Sequence, residues 1–205
     1  MIISAGRSYV FVHIPKTGGT SLATALESRA MKDDILIGDT PKAQKRKARL
    51  RHLAGKGRLW KHSTLDDIVG VVDTRGMFTF TLVRNPWDRM VSYYTWLQSQ
   101  TFDHPAVVLA QTTGFSNFLN APQTRESLRQ NPYSSYMQDD SFYFRIECLE
   151  DDLQPLWKHL GFQLTIPHVN TSDRNRDYRG YYSDADANLV SDLCAADILR
   201  SNYSF

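Results

Sequence analysis

The sequence predicts an α/β fold: a single domain over residues 1–205, with a mainly parallel central sheet flanked by helices. Three observations lead there. Short runs rich in β-branched and aromatic residues recur at 9–12, 77–83 and 142–146. Helix-opening signals alternate with these runs, the pattern of a parallel sheet covered on both faces. A chain of 205 residues is long enough for one sizeable core and too short for two comfortable domains.

The elements follow in order. Residues 8–14 form the first strand, and Thr20 to about Arg29 the helix after it. Thr40-Pro41 supplies an N-cap and a proline at the first helical position, opening a helix expected to stop near Gly55. Arg58-Leu59-Trp60-Lys61-His62 reads as a short strand, and Ser63-Thr64-Leu65-Asp66 has the spacing of a capping box. Met77–Val83 is the strongest strand signal, after which Asn85-Pro86 opens a helix running to about Gln100. Between 101 and 140, Pro105, Gly114, Pro122 and Pro132 allow only short helices over the sheet. Phe142–Ile146 is a late strand, Leu149–Leu160 a helix stopped by Gly161, and Thr165–Tyr182 a loop. Ser183-Asp184-Ala185-Asp186 caps a final helix.

The turn after the first strand is the most informative segment: His13-Ile14-Pro15-Lys16-Thr17-Gly18-Gly19-Thr20-Ser21. Strand, glycine turn and helix N-terminus together make an anion site, because glycines let the backbone approach the ligand and the helix start offers unpaired amides at its positive end. Lys16 adds a mobile positive charge, and Thr17, Thr20 and Ser21 add hydroxyls. The lysine precedes the glycines instead of following them, so this is not a Walker A loop and argues against an ordinary ATPase.

Composition narrows the function further. A net charge of +2 is too mild to imply nucleic-acid binding, and no nucleic-acid partner is expected. The charge is concentrated, however: Lys45, Arg46, Lys47, Arg49, Arg51, Lys56 and Arg58 lie between Lys42 and Lys61 with no acidic residue among them. Such a run is either a solvated helix face or a rim that attracts a polyanion. No apolar stretch is long enough to span a bilayer, and residues 1–7 lack the apolar region of a secretory signal, so no integral membrane segment and a cytoplasmic location are expected. Cys148 and Cys194 suggest neither a disulfide framework nor zinc, and no His/Cys/Asp cluster has metal spacing; no metal is expected.

A second element, Leu82-Val83-Arg84-Asn85-Pro86-Trp87-Asp88-Arg89-Met90-Val91-Ser92-Tyr93-Tyr94, completes a pattern. The ordered pair resembles the sulfotransferases that use 3′-phosphoadenosine 5′-phosphosulfate, most closely the carbohydrate-modifying, family 2-like branch. That resemblance implies the P-loop-NTPase-like sulfotransferase fold. It also implies transfer of a sulfuryl group from this donor to a hydroxyl, with a glycan as expected acceptor and 3′-phosphoadenosine 5′-phosphate as product. Thr17, Gly18, Gly19, Thr20 and Ser21, with Lys16, are then expected to cradle the 5′-phosphosulfate, Lys16 also stabilising the charge that develops on the leaving group. Arg84 and Ser92 match the positions that hold the 3′-phosphate, although Arg84 has a competing use as an ion-pair partner of Asp88 and Arg89 is a further candidate. The Golgi anchor of many eukaryotic members has no counterpart here, which implies a bacterial-type cytoplasmic enzyme or an excised catalytic domain.

The acceptor hydroxyl must lose a proton, and His62 is the preferred general base, since imidazole titrates near neutrality and relatives carry a Lys-His pair like Lys61-His62. His13 is a weaker rival, placed to fix the turn; Asp66, Asp67 and Glu147 are the carboxylate alternatives. His168–Ser172 and Tyr178–Tyr182 resemble a C-terminal region of the same family, in which Arg174, Arg176 and Arg179 are candidates to touch donor or acceptor. Two other functions stay open: a nucleotide-dependent phosphotransferase, and a non-catalytic nucleotide-binding module.

Overall fold

The computed structural model describes residues 1–167, 175 and 177–205, which divide into two compact units. The first comprises Met1–Val83 and the residues from Tyr133 to 167; the second comprises Arg84–Pro132 and the described C-terminal residues ending at Phe205.

The first unit is built on a five-stranded sheet: β1 (Ile2–Ser4), β2 (Tyr9–Val12), β3 (Ile35–Leu36), β4 (Phe78–Val83) and β5 (Phe142–Arg145), in the order β3-β1-β2-β4-β5. β2, β4 and β5 are parallel, as expected, with Val12 opposite Thr81 and Leu82 opposite Phe144. β1 pairs antiparallel with both β2 and β3, which makes the sheet mixed. These two short strands carry too few residues to show a period.

Alternation places Tyr9, Phe11, Phe80, Leu82 and Phe144 on one face, where they join Leu22, Ala23 and Leu26 of helix α1 (Gly19–Ser28) and Leu153 and Leu156 beyond β5. Helix α2 (Pro41–Arg46) is capped by Thr40, which accepts from the Ala43 amide, and gives way to a 3₁₀ turn at Lys47–His52 short of the expected stop at Gly55.

The strand expected at 58–62 does not form. Ser63 takes over its backbone groups, accepting from Trp60 N at 2.9 Å and donating to Arg58 O at 2.7 Å, so the segment folds on itself. The expected capping box at Ser63–Asp66 is displaced by one residue. Thr64 N donates to Asp67 (2.7 Å) and Asp67 N to Thr64 Oγ1 (3.1 Å), heading a series of turns and not a helix.

The second unit centres on helix α3 (Pro86–Gln98), with Asn85 as its cap through Trp87 N at 3.1 Å. Trp87, Met90, Val91, Tyr94 and Leu97 of α3 pack with Val107, Phe115, Phe118 and Val190 from short helices at Pro105–Thr112, Phe115–Asn120 and Asp184–Leu193. Ser183 and Asp186 form the capping box read from the sequence. Tyr182 donates to Trp87 O at 2.8 Å, a packing role.

Candidate active site

β2 and β4 are neighbouring parallel strands, and Thr81 Oγ1 donates to Val12 O at 2.8 Å just before both end. The turn at 13–18 therefore leaves the carboxyl edge of the sheet, where ligands of α/β folds bind.

Two residues of that turn hold left-handed backbone, Lys16 at φ 66° and Gly18 at φ 79°. Gly18 adopts it without penalty, whereas a lysine there costs about 1–2 kcal/mol and persists because its surroundings impose it. Thr17 contributes to that constraint: fully buried, it donates its hydroxyl to Ile14 O at 2.9 Å. Thr17 is thus a brace for the turn, and its hydroxyl does not join the set aimed at an anion. Gly18 and Gly19 also leave no room for a side chain. A β-carbon on Gly18 would lie 2.1 Å from Ile146 Cδ1, and one on Gly19 would lie 2.2 Å from His13 Cδ2. No side chain caps α1 and no acidic residue sits in its first turn, so the positive end of the helix keeps its attraction for anions. This cradle fits a phosphate-bearing donor.

His62, on the turn segment after Trp60, comes to the same edge. Its Nδ1 lies 2.7 Å from His13 O, and the two imidazoles meet edge to face at 4.9 Å between centroids. Burial lowers the His62 pKa from 6.5 to about 4, partly offset by the hydrogen bond to His13, while Lys61 lowers it further. Burial likewise holds His13 well below its usual range. Both rings are neutral at pH 7, the state a general base requires. Trp60 flanks His62 at 5.0 Å and is 43% exposed, with the Arg58 guanidinium 5.5 Å from the centre of the indole.

The carboxylate alternatives have other partners or positions. Asp66 pairs with Lys56 at 2.8 Å, Asp67 is held by Thr64, and Glu147 is exposed in a 3₁₀ turn. The remaining described histidines also have structural settings: His104 caps Pro105–Thr112, His159 bonds Arg7 O and stacks on Phe78, and His52 is exposed. His168 lies outside the described residues, as do the rest of the segment 168–172, Arg174 and Arg176.

In the second unit, Arg84 is paired with Asp88 at 2.6 Å, both side chains largely buried. The competing use named from the sequence is therefore present, with the carboxylate fixing the direction of the guanidinium fork. Ser92 is buried one helical turn beyond Asp88 on α3, and Arg89 is half-buried on the same helix. The basic run is divided in its roles: Arg46 donates to Met31 O and Asp34 O and Arg49 to Lys32 O, anchoring the 31–34 loop, while Lys45, Lys47, Arg51 and Arg58 are exposed.

His62 thus lies against the turn that carries Lys16 and the glycines, and Trp60, which the sequence did not single out, is its neighbour. An exposed tryptophan two residues before a candidate base was the available signal. Among the described residues, no helix is long and apolar enough to cross a membrane, and no three His, Cys, Asp or Glu side chains gather as a metal site.

The sulfotransferase family model matches residues 1–204 of the chain. No curated protein matches it. Among solved structures, mouse sulfotransferase SULT7A1 complexed with PAP is similar at 16% identity, covering 98% of this chain and 87% of that one with a TM-score of 0.48.

Proposed function

We propose that this chain, which belongs to the sulfotransferase family, moves the sulfuryl group of 3′-phosphoadenosine 5′-phosphosulfate onto a hydroxyl of a carbohydrate. One observation carries the reading: a neutral imidazole, His62, is hydrogen-bonded at 2.7 Å to the first residue of the turn built for the phosphosulfate.

The chemistry asks mainly for position and charge. Lys16, the amides of Thr17, Gly18, Gly19 and Thr20, and the hydroxyls of Thr20 and Ser21 hold the 5′ end of the donor, and Arg84 with Ser92 holds its 3′-phosphate. His62 takes the acceptor proton on Nε2 as the acceptor oxygen bonds to sulfur and the bond from sulfur to the bridging phosphate oxygen breaks. Lys16 offsets the charge left on that oxygen.

The carbohydrate reading is supported by Trp60. An exposed indole beside the base offers an apolar platform for a sugar ring, and Arg58 with the exposed lysines would favour an acidic one. The test is incubation with ³⁵S-labelled donor and a panel of saccharides, simple alcohols and phenols. Label in a saccharide supports the reading. Label only in a phenol or simple alcohol overturns the carbohydrate assignment, and no transfer to any acceptor while PAP binds points to a non-catalytic binding module.

A further inference from the structure

His13 is the residue of the turn that the chemistry above leaves without a task. Its side chain is nine-tenths buried, at 9% exposed, and makes no hydrogen bond with any described residue. Neither ring nitrogen is among the sealed, unpartnered side-chain atoms of the described residues, so the largely buried ring keeps an edge that a ligand on the turn can reach.

The surroundings of the ring place that edge. Phe11 backs it, nearly parallel at 6.1 Å between centroids. On the other side, the position of a β-carbon on Gly19 is 2.6 Å from Nε2 and 2.2 Å from Cδ2, so the imidazole fills the space a side chain would take at the first residue of α1. Nε2 therefore borders the positive end of that helix, which no side chain caps. The carbonyl of the same residue accepts the Nδ1 proton of His62 at 2.7 Å. Through its ring His13 touches the turn assigned to the donor, and through its backbone it touches the group assigned as base.

We propose that His13 is a positioning residue joining the two halves of the reaction: Nε2 donates to an oxygen of the donor 5′-phosphate held at the start of α1, and the carbonyl sets the orientation of His62. The inference rests on the donor reading above. An anion on the turn gives Nε2 a hydrogen-bond partner and fixes the residue from which His62 hangs. A base aligned by the donor is correctly aimed only when there is sulfate to transfer.

The test is a titration of the ¹⁵N-labelled full chain with 3′-phosphoadenosine 5′-phosphate, followed by imidazole nitrogen NMR and, in parallel, by calorimetry. The ring signals of both His13 and His62 are expected to move together with occupancy. His13→Phe keeps a ring against Phe11 but removes the N–H; the response of His62 to nucleotide should shrink severalfold, and kcat at saturating substrates should fall about 10-fold, because a misplaced reacting group loses much of its proximity advantage. His13→Gln, whose amide nitrogen stands near the place of Nε2, should restore most of both. If calorimetry shows binding while His62 is silent, or if His13→Phe responds like the parent, the inference is wrong and the donor reading survives. Absence of any binding heat defeats both. Should His13→Phe fail to fold, the parent titration and His13→Gln decide.

Discussion

The Nδ1 atom of His62 lies 2.7 Å from the carbonyl oxygen of His13. A carbonyl only accepts, so Nδ1 carries the proton and the basic lone pair of the neutral ring resides on Nε2. The tautomer of the proposed base is thereby set by a backbone atom of the glycine turn.

Replacing His62 with Ala should therefore remove proton abstraction and leave the donor site intact. Loss of a general base typically costs about 10²–10⁴-fold. The expected outcome is a fall of that order in kcat with PAP affinity unchanged by calorimetry. An unaltered kcat would assign the proton to another group.

The pH dependence follows from burial. With the His62 pKa near 4 in the folded chain, kcat/KM for the donor, which reports the free enzyme, should be flat near neutrality and fall only as pH approaches 4. Stability shifts over a related window. The unfolded chain takes up the proton near 6.5 and the folded chain near 4, so the contribution of neutral His62 is complete above about 6.5 and is lost as pH falls toward 4. Urea unfolding at a series of pH values checks this slope, which His62→Ala should reduce.

Gly18→Ala tests the turn itself. It places a side chain at φ 79° and a methyl 2.1 Å from Ile146 Cδ1. A loss of about 1–3 kcal/mol in urea unfolding is expected, with weaker PAP binding. An unchanged midpoint and affinity would mean that the turn is neither tight nor engaged.

Much of this arrangement was legible in the sequence, and the exceptions have specific causes. β2, β4 and β5 show themselves as β-branched and aromatic runs, and Ser183 and Asp186 form the expected cap. β1 and β3 are three and two residues long and carry no readable period. The mistaken strand at 58–62 looked extended from its apolar residues, but the decisive element was Ser63, whose side chain bonds replace a sheet ladder. The proximity of His13 and His62, 49 residues apart, belongs to tertiary structure and leaves no local mark. Arg84 and Asp88, four residues apart, did leave one, and the ion pair is present.

That ion pair shapes the expectation for Arg84→Ala. Removing a charged hydrogen-bond donor to a phosphate should weaken PAP binding by about 1.5–3 kcal/mol. The deficit should narrow as salt is raised, since part of it is screened. Calorimetry at low and high salt provides the check, and equal affinity at both would restrict Arg84 to its partner Asp88.

Trp60→Ala bears on the acceptor alone. Its indole is exposed beside His62, and stacking on an aromatic ring contributes about 0.5–1.5 kcal/mol beyond area burial. A severalfold rise in acceptor KM with an unchanged donor KM is expected. A change confined to the donor would relocate Trp60 to the nucleotide.

The most direct test is calorimetric titration of the intact chain with PAP and with ATP, repeated on Lys16→Ala. PAP is expected to bind more tightly than ATP by about tenfold or more, and Lys16→Ala to lose a comparable factor, about 1.4 kcal/mol or more. A preference for ATP, or a PAP affinity indifferent to Lys16, would contradict the donor assignment.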